Sequence, residues 1–190
     1  PTLSVIIITK NEAELIEQCL ESVKWADEII VVDSGSTDDT VNICRRYTDK
    51  VVVTDWPGFG PQKNRALAMA TGQWVLSIDA DEQITPELAQ EIQSTIASPL
   101  HQVFTLPRLS SFMGRYIRHG DWWPDQIARL FLRSQCRFSA DLVHERLIYA
   151  KPAGKLKNLM LHQSTRTIEQ LLDKTNSYTS SGAKRIHAAG

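Results

Sequence analysis

The stretch Trp74-Val-Leu-Ser-Ile-Asp-Ala-Asp-Glu82 constrains this chain most, because an apolar run that ends abruptly in carboxylates has few structural homes. Trp74 to Ile78 reads as a buried strand, with Asp79 and Asp81 emerging where its C-terminal end meets solvent. In an open α/β sheet that is the edge at which ligands bind. Two carboxylates one residue apart repel each other and are costly to desolvate, so the pair calls for a hard metal cation more than for a salt bridge. The plain alternative is an Asp-rich turn that caps the next helix.

The stretches before it supply the sheet. Leu3-Ser-Val-Ile-Ile-Ile-Thr9 is the kind of run that a parallel sheet buries on both faces. Leu15, Ile16, Cys19, Leu20 and Val23 recur at helical spacing, Glu28–Asp33 reads as a second strand, and Ser34–Asp39 as a loop into a helix carrying Val41, Ile43 and Cys44. A third strand is expected over 50–54. Gly58-Phe-Gly-Pro61 reads as a loop opening a helix from Gln62 to Ala70, which Gly72 stops. Three successive β-α units specify a doubly wound, mostly parallel α/β sheet. Past Thr85-Pro86 a helix over 88–97 is expected, ended by Pro99. Short strands over 103–106, 112–117, 128–132 and 156–161 then predict a smaller mixed region beside the parallel half. A last helix is expected from Thr167, with Ile168, Leu171 and Leu172 on its apolar face.

The 190 residues suffice for one core, and a single domain over 1–190 is expected. A formal net charge of −1 gives no basic field for nucleic acid. Cys19, Cys44 and Cys136 are odd in number and far apart, which fits neither a disulfide framework nor a zinc site and indicates a reducing compartment. No basic leader and no long apolar segment is visible, so neither a signal peptide nor a membrane span is expected. The start at Pro1 and the stop at Ala188-Ala-Gly190 suggest a trimmed chain, from which a membrane-associating tail would be missing.

Thr9-Lys-Asn-Glu12, Asp33-Ser-Gly-Ser-Thr-Asp-Asp-Thr40 and Asp79-Ala-Asp-Glu82 fall at one sheet edge. In this order and spacing, over the first hundred residues, they resemble the nucleotide-binding half of a family 2 glycosyltransferase with the GT-A fold. The resemblance implies a nucleotide-sugar-binding half over 1–100 and an acceptor-side half over 101–190, truncated at its C-terminus. It also implies a UDP-sugar donor, with the turn from Thr9 to Glu12 and Asp33 around uracil and ribose, whose N–H and hydroxyl groups need acceptors. Asp33 as a cap for a helix from Thr37, and Glu12 as a first-turn carboxylate, are the structural alternatives. Lys63, Asn64 and Arg65 at a helix start are expected near the nucleotide or its phosphates, unless they form a solvated basic face. Asp79 would reach the ribose or a metal-bound water, and Asp81 a Mn2+ or Mg2+ ion that neutralises the departing diphosphate.

For the second half, Val143-His-Glu-Arg-Leu147 offers the base. Glu145 is the expected acceptor of the substrate proton, with His144 doing the same or orienting it, against the alternative of an ion pair with Arg146 or Arg129. His162, after Leu159-Met-Leu, resembles the third metal ligand of several GT-A enzymes, and imidazole suits Mn2+ better than Mg2+. Within 120–133, Trp122 and Trp123 offer flat faces for a sugar, Asp125 and Gln126 hydrogen bonds, and Arg129 a diphosphate contact. Arg108, Arg115, Arg118 and His119 would meet an anionic acceptor or remain a solvated face. Together these motifs resemble the bacterial lipopolysaccharide-core glucosyltransferase branch, whose members transfer glucose to heptose. The expectation is thus inverting, metal-dependent transfer to a glycan or glycolipid, in the cytoplasm or peripherally at the inner face of its membrane. A nucleotidyltransferase is the rival enzyme, though Thr9-Lys-Asn-Glu12 lacks its Gly-rich basic loop. A nucleotide-sugar-binding module without catalysis is the rival of another class. The sugar, the linkage and the oligomeric state are not legible.

Overall fold

β-Branched residues decide the centre of the fold. A computed structural model describes residues 1–140, 145–150, 152–165, 167–169 and 172 of the chain. In chain order the elements are β1 (Leu3–Thr9), α1 (Ile16–Val23), β2 (Glu28–Asp33), α2 (Thr40–Arg45), β3 (Val51–Val53), α3 (Phe59–Met69), β4 (Trp74–Asp79), β5 (Glu82–Ile84), α4 (Pro86–Ala97), β6 (Val103–Phe112), β7 (Arg115–Tyr116), β8 (Asp125–Leu132), β9 (Arg137–Phe138), β10 (Leu147–Ile148), β11 (Gly154–Lys155) and β12 (Met160–Thr165).

The main sheet runs β3-β2-β1-β4-β8-β6-β12-β5. Its first four strands are parallel. β8 then runs antiparallel to both β4 and β6, so β6 has the same sense as β4. β12 joins β6 in parallel, and β5 closes the edge antiparallel to it. β7 and β11 pair with β6, while β9 and β10 form a separate two-stranded ribbon.

Every residue of β1 is buried. Strand alternation sends Val5 and Ile7 to a core shared with α1, α2 and α4, and Ile6 and Ile8 to one shared with α3. Each such side chain contributes about 1.5–3 kcal/mol of burial. Ile16, Cys19, Leu20 and Val23 recur on one face of α1, and all are buried. Thr85 caps α4 by accepting from the Leu88 N–H at 3.3 Å, with Pro86 at the first helical position. The three cysteines are free, and burial pushes the Cys44 thiol up to about 12 and that of Cys136 to about 11. Helices on both faces of a mostly parallel sheet make this the expected doubly wound α/β fold. Among the described residues no helix is long and apolar enough to cross a membrane.

Local departures have local causes. α3 begins at Phe59 rather than Gln62, because Pro61 falls in its first turn, where a missing N–H leaves nothing unpaired. β6 continues through Pro107, which still pairs in register with Gln126 of β8. The strand expected over 112–117 instead reverses at Met113 and Gly114, both at positive φ, so that β7 folds back on Ser111 and Phe112. The strand expected over 156–161 splits into β11 and β12. Between them the N–H groups of Lys157 and Asn158 donate to the Glu91 carboxylate at 2.9 Å each, drawing the chain off the sheet. β5 was not anticipated. Of the last helix, Ile168 and Leu172 are exposed and Leu171 lies outside the described residues.

Glu28 ties the far edge of the sheet together. Its carboxylate accepts from Ser4 and Lys50, and from the Thr71 N–H and hydroxyl at 2.8 and 2.9 Å. Against the cost of burial, these donors pull its carboxyl down to about 2 from an ordinary 4.5. Below both values the two forms of the chain hold the same proton; above them the folded form keeps the charge it stabilises. Glu28→Gln is therefore expected to cost about 1–3 kcal/mol near neutral pH. That cost should shrink as pH falls from 4.5 towards 2, which urea melts across this window would check.

Candidate active site

The ends of β1, β2 and β4 meet at one sheet edge, where Thr9 is in register with Asp33 and Ile8 with Asp79. Asp33 is fully buried. Its Oδ1 accepts from the N–H groups of Gly35 and Ser36 at 2.9 and 2.8 Å, and its Oδ2 from the Ser36 hydroxyl. Gly35, at φ +80°, makes that tight turn possible. Asp33 thus shapes its own loop, and α2 starts too late for it to act as the cap. Asn11 stitches the neighbouring loop to this one, its Oδ1 accepting from the Thr37 N–H at 2.8 Å and its N–H donating to Ser36 Oγ at 2.8 Å. The Glu12 N–H donates to Thr40 Oγ1 at 2.8 Å, and its carbonyl accepts from Leu15 and Ile16. The Thr9 hydroxyl is buried with no hydrogen-bond partner among the described residues.

Beside these loops lies a dense cluster of charge. Lys63, 3% exposed, sends Nζ to Glu145 Oε1 at 2.7 Å and to Asp79 Oδ1 at 3.0 Å. The Arg129 Nη2 donates to Asp79 Oδ2 at 2.5 Å and to Glu82 Oε1 at 2.8 Å. The turn Asp79-Ala-Asp-Glu82 brings the buried Glu82 carboxylate back onto the Asp79 N–H at 2.9 Å. Arg108 reaches Glu82 at 3.3 Å while its other nitrogens hold Asp125 at 2.8 and 2.9 Å. Asp81 Oδ2 stands 3.3 Å from His162 Nε2, and His162 Nδ1 is 2.9 Å from Ser110 Oγ.

Burial alone would push the Asp79 carboxyl up, but the Arg129 guanidinium and Lys63 ammonium outweigh it and hold Asp79 well below the usual carboxylate range. Burial wins at Glu82, whose carboxyl is pushed up despite Arg129, with the Asp79 charge adding to the shift. For Arg129 burial opposes the charge, yet Asp79 and Glu82 hold the guanidinium still more firmly protonated.

The structure brings Lys63, Asp79, Arg129 and Glu145 together, and Asp81 with His162. It sends two expected neighbours elsewhere. Residues two apart on a helix face nearly opposite ways, so Arg65 turns from the cluster to Asp55 Oδ1 at 2.8 Å. Asn64 brackets Phe138, donating to its carbonyl and accepting from its N–H at 2.9 Å each. Because α3 starts at Phe59, Lys63 stands in its second turn and not at its N-terminus. Asp79 itself is compensated by two side-chain cations, Lys63 and Arg129. Glu145 pairs with Lys63 rather than with Arg146 or Arg129. His144 lies outside the described residues. Trp122 is exposed and Trp123 half-buried, and Gln126 accepts from Thr105 Oγ1 at 3.0 Å.

Sequence reasoning missed Glu82 as the hub, Ser110 behind His162, and the buried Gln62, which donates to Ser34 Oγ at 2.9 Å. Three acids within Asp79-Ala-Asp-Glu82, set against arginines in two later strands, were the available signal for Glu82. Among the described residues no three His, Cys, Asp or Glu side chains gather into a metal cage. Asp81 and His162 offer one oxygen and one nitrogen side by side, a donor set that fits an open Mn2+ site completed by ligand oxygens and water. A cavity of about 540 Å³ lies at the opposite sheet edge, lined by Lys24, Glu28, Tyr47 and Gly72 among others.

Acidic loops stand at the ends of parallel strands, with Asp79 held by a buried lysine and arginine, and the fold is that of a GT-A glycosyltransferase. Residues 4–153 match the family model described as Glycosyl transferase family 2, and the chain belongs to that family. An uncharacterised glycosyltransferase of Rickettsia felis is 35% identical over 204 residues, covering 99% of this chain and 71% of that protein. The lipopolysaccharide core biosynthesis glycosyltransferase LpsC of Rhizobium meliloti is 28% identical over 188 residues, covering 93% and 68%. Among solved structures, residues 1–349 of TarS from S. aureus superpose with a TM-score of 0.65 at 20% identity, over 86% of this chain and 60% of that one. Glucosyl-3-phosphoglycerate synthase from Mycobacterium tuberculosis, in complex with Mn2+ and UDP-glucose, gives a TM-score of 0.50 at 29% identity, over 56% and 43%.

Proposed function

We propose that this chain transfers a hexose, glucose by resemblance, from a UDP-sugar to a hydroxyl of a bacterial glycan or glycolipid, with inversion and with a divalent cation. Heptose of the lipopolysaccharide inner core is the acceptor that the resemblance favours, and the likeness to LpsC supports the lipopolysaccharide core more broadly. The observation that carries the reading is the junction at Lys63, where a carboxylate of the donor-side half, Asp79, meets one of the acceptor-side half, Glu145, within 3.0 Å of one ammonium. A site that joins donor and acceptor halves through a buried cation suits group transfer better than binding alone.

In this reading residues 1–100 hold the donor and 101–190 the acceptor. Thr9, Glu12 and Asp33 line the uracil and ribose, and the Thr9 hydroxyl gains there the partner it lacks. Lys63 and Arg129 face the diphosphate. Asp81 and His162 would hold Mn2+ or Mg2+, as the complex of the mycobacterial synthase with Mn2+ and UDP-glucose suggests. Such a cation neutralises charge on the diphosphate when bound. Glu145, oriented by Lys63, takes the proton of the acceptor hydroxyl as that oxygen attacks the anomeric carbon. The place of action is the cytoplasm, at the inner face of its membrane.

Calorimetric titration with UDP-glucose, UDP-galactose and UDP-N-acetylglucosamine, each with Mn2+ and with EDTA, tests the reading. One donor is expected to bind and to be lost in EDTA. Asp81→Ala is expected to abolish the metal-dependent part of that binding. An Asp81→Ala chain that still binds in an EDTA-sensitive way removes Asp81 from the metal site, and a folded chain that binds no donor removes the function.

A further inference from the structure

β6 has the same sense as β4, so its C-terminal end at Phe112 lies at the sheet edge that carries Asp79. Ser110, two residues earlier, already touches His162. Beyond it the chain turns back at Met113 and Gly114, pairs Arg115 and Tyr116 of β7 with Phe112 and Ser111, and runs on to Trp122, forming a hairpin arm over residues 113–122 at this end of the sheet. In this segment Met113, Tyr116 and Trp122 are 39%, 45% and 43% exposed. Arg115, Arg118 and His119 are exposed among them, and Asp121 is the one acidic residue of the segment. The patch has a scaffold beneath it. The Trp122 ring packs edge-on against Phe112 at 6.0 Å, and the Arg118 guanidinium lies over the Trp123 ring at 5.8 Å.

Large apolar side chains grouped in solvent with cations between them suit neither a core nor an ordinary solvated face. Tryptophan and tyrosine favour the headgroup level of a bilayer, and arginine between them favours anionic headgroups. Arg108 shows the contrast: it turns inward to Glu82 and Asp125, whereas Arg115 and Arg118 form no ion pair with a carboxylate among the described residues. We propose that the hairpin over residues 113–122 docks on an anionic bilayer and sets the candidate active site against the membrane surface. Resting on the functional reading above, the acceptor is then a molecule anchored in that membrane and presented at its surface.

Co-sedimentation with phosphatidylcholine vesicles, with and without phosphatidylglycerol and at low and high salt, tests the docking. The chain is expected to bind the phosphatidylglycerol vesicles and to release them in high salt. Arg115→Gln with Arg118→Gln, and separately Met113→Ser with Tyr116→Ser, should each weaken binding about tenfold. Donor titration of both double variants should match the unaltered chain, which establishes that they are folded. Absence of binding by the unaltered chain, or equal binding by both double variants, overturns the inference. Slower transfer to a soluble anionic glycan, with vesicle binding unchanged, would make the hairpin an acceptor subsite and overturn it as well. Vesicle binding by a chain that takes no UDP-sugar would instead support docking and sink the proposed function, so the two failures are distinguishable.

Discussion

Glu145→Gln is expected to bind the sugar donor as the unaltered chain does and to lose turnover by about 10²–10⁴-fold. Binding survives because the substitution preserves shape and an acceptor: the amide oxygen still takes the hydrogen bond from Lys63 Nζ, which stands 2.7 Å away. Lys63 also keeps Asp79 at 3.0 Å, so the donor-side charges stay in place. What disappears is what the amide cannot reproduce, the negative charge and with it a site able to accept a proton. Single-turnover assays with labelled donor, beside calorimetry of the same sample, separate the two steps. Retained turnover would remove Glu145 as base, whereas joint loss of binding would show that its charge holds Lys63 for the diphosphate.

Arg129→Met should cost about 3–5 kcal/mol of stability, the typical penalty for leaving buried charge without its partner. Arg129 is the guanidinium shared by Asp79 and the fully buried Glu82, and without it Glu82 retains Arg108 at 3.3 Å as its remaining cation. The loss should depend on pH in a defined direction. Burial already pushes the Glu82 carboxyl up, so in the folded chain it holds its proton to higher pH than in the unfolded one. Stability from that proton is present at low pH and lost as pH rises through the raised value. Removing Arg129 raises it further, so the gap to the unaltered chain should widen from acid to neutral pH. Urea melts at several pH values read this, and a uniform gap would show that packing, not charge, is what Arg129 provides.

Local pattern carried much of this fold, and non-local pairing hid the rest. β1, β2, β4 and α1 were legible because each is a run with a single period, buried on faces that the period itself names. The carboxylates at the end of β4 were legible for the same reason: a strand that stops in Asp79 has an end, and in a parallel sheet an end is an address. The partners of those carboxylates were not. Lys63, Arg129 and Glu145 come from α3, β8 and the segment before β10, and no spacing shows that one ammonium bridges Asp79 and Glu145. Glu82 stood in plain view within its motif. Its role depends on the turn that carries it back to the Asp79 N–H, which is local, and on β8 delivering Arg129, which is not. Arg65 parts from Lys63 for a simpler reason, since a shared helix is not a shared face.

The place of β8 between β4 and β6 has a consequence for how such a chain is made. Trp74, Val75 and Leu76 of β4 pair on one side with β1 and on the other with Leu132, Phe131 and Leu130. Synthesis runs from the N-terminus, so the parallel half emerges complete while the β4 edge that β8 will cover is still bare. For the time needed to add residues 80–132, the nascent chain carries an apolar strand with unpaired backbone groups, the feature through which sheets join wrongly to other chains. The parallel half and the segment that brings β8 are therefore not independent in birth: the second completes the first before it does anything of its own.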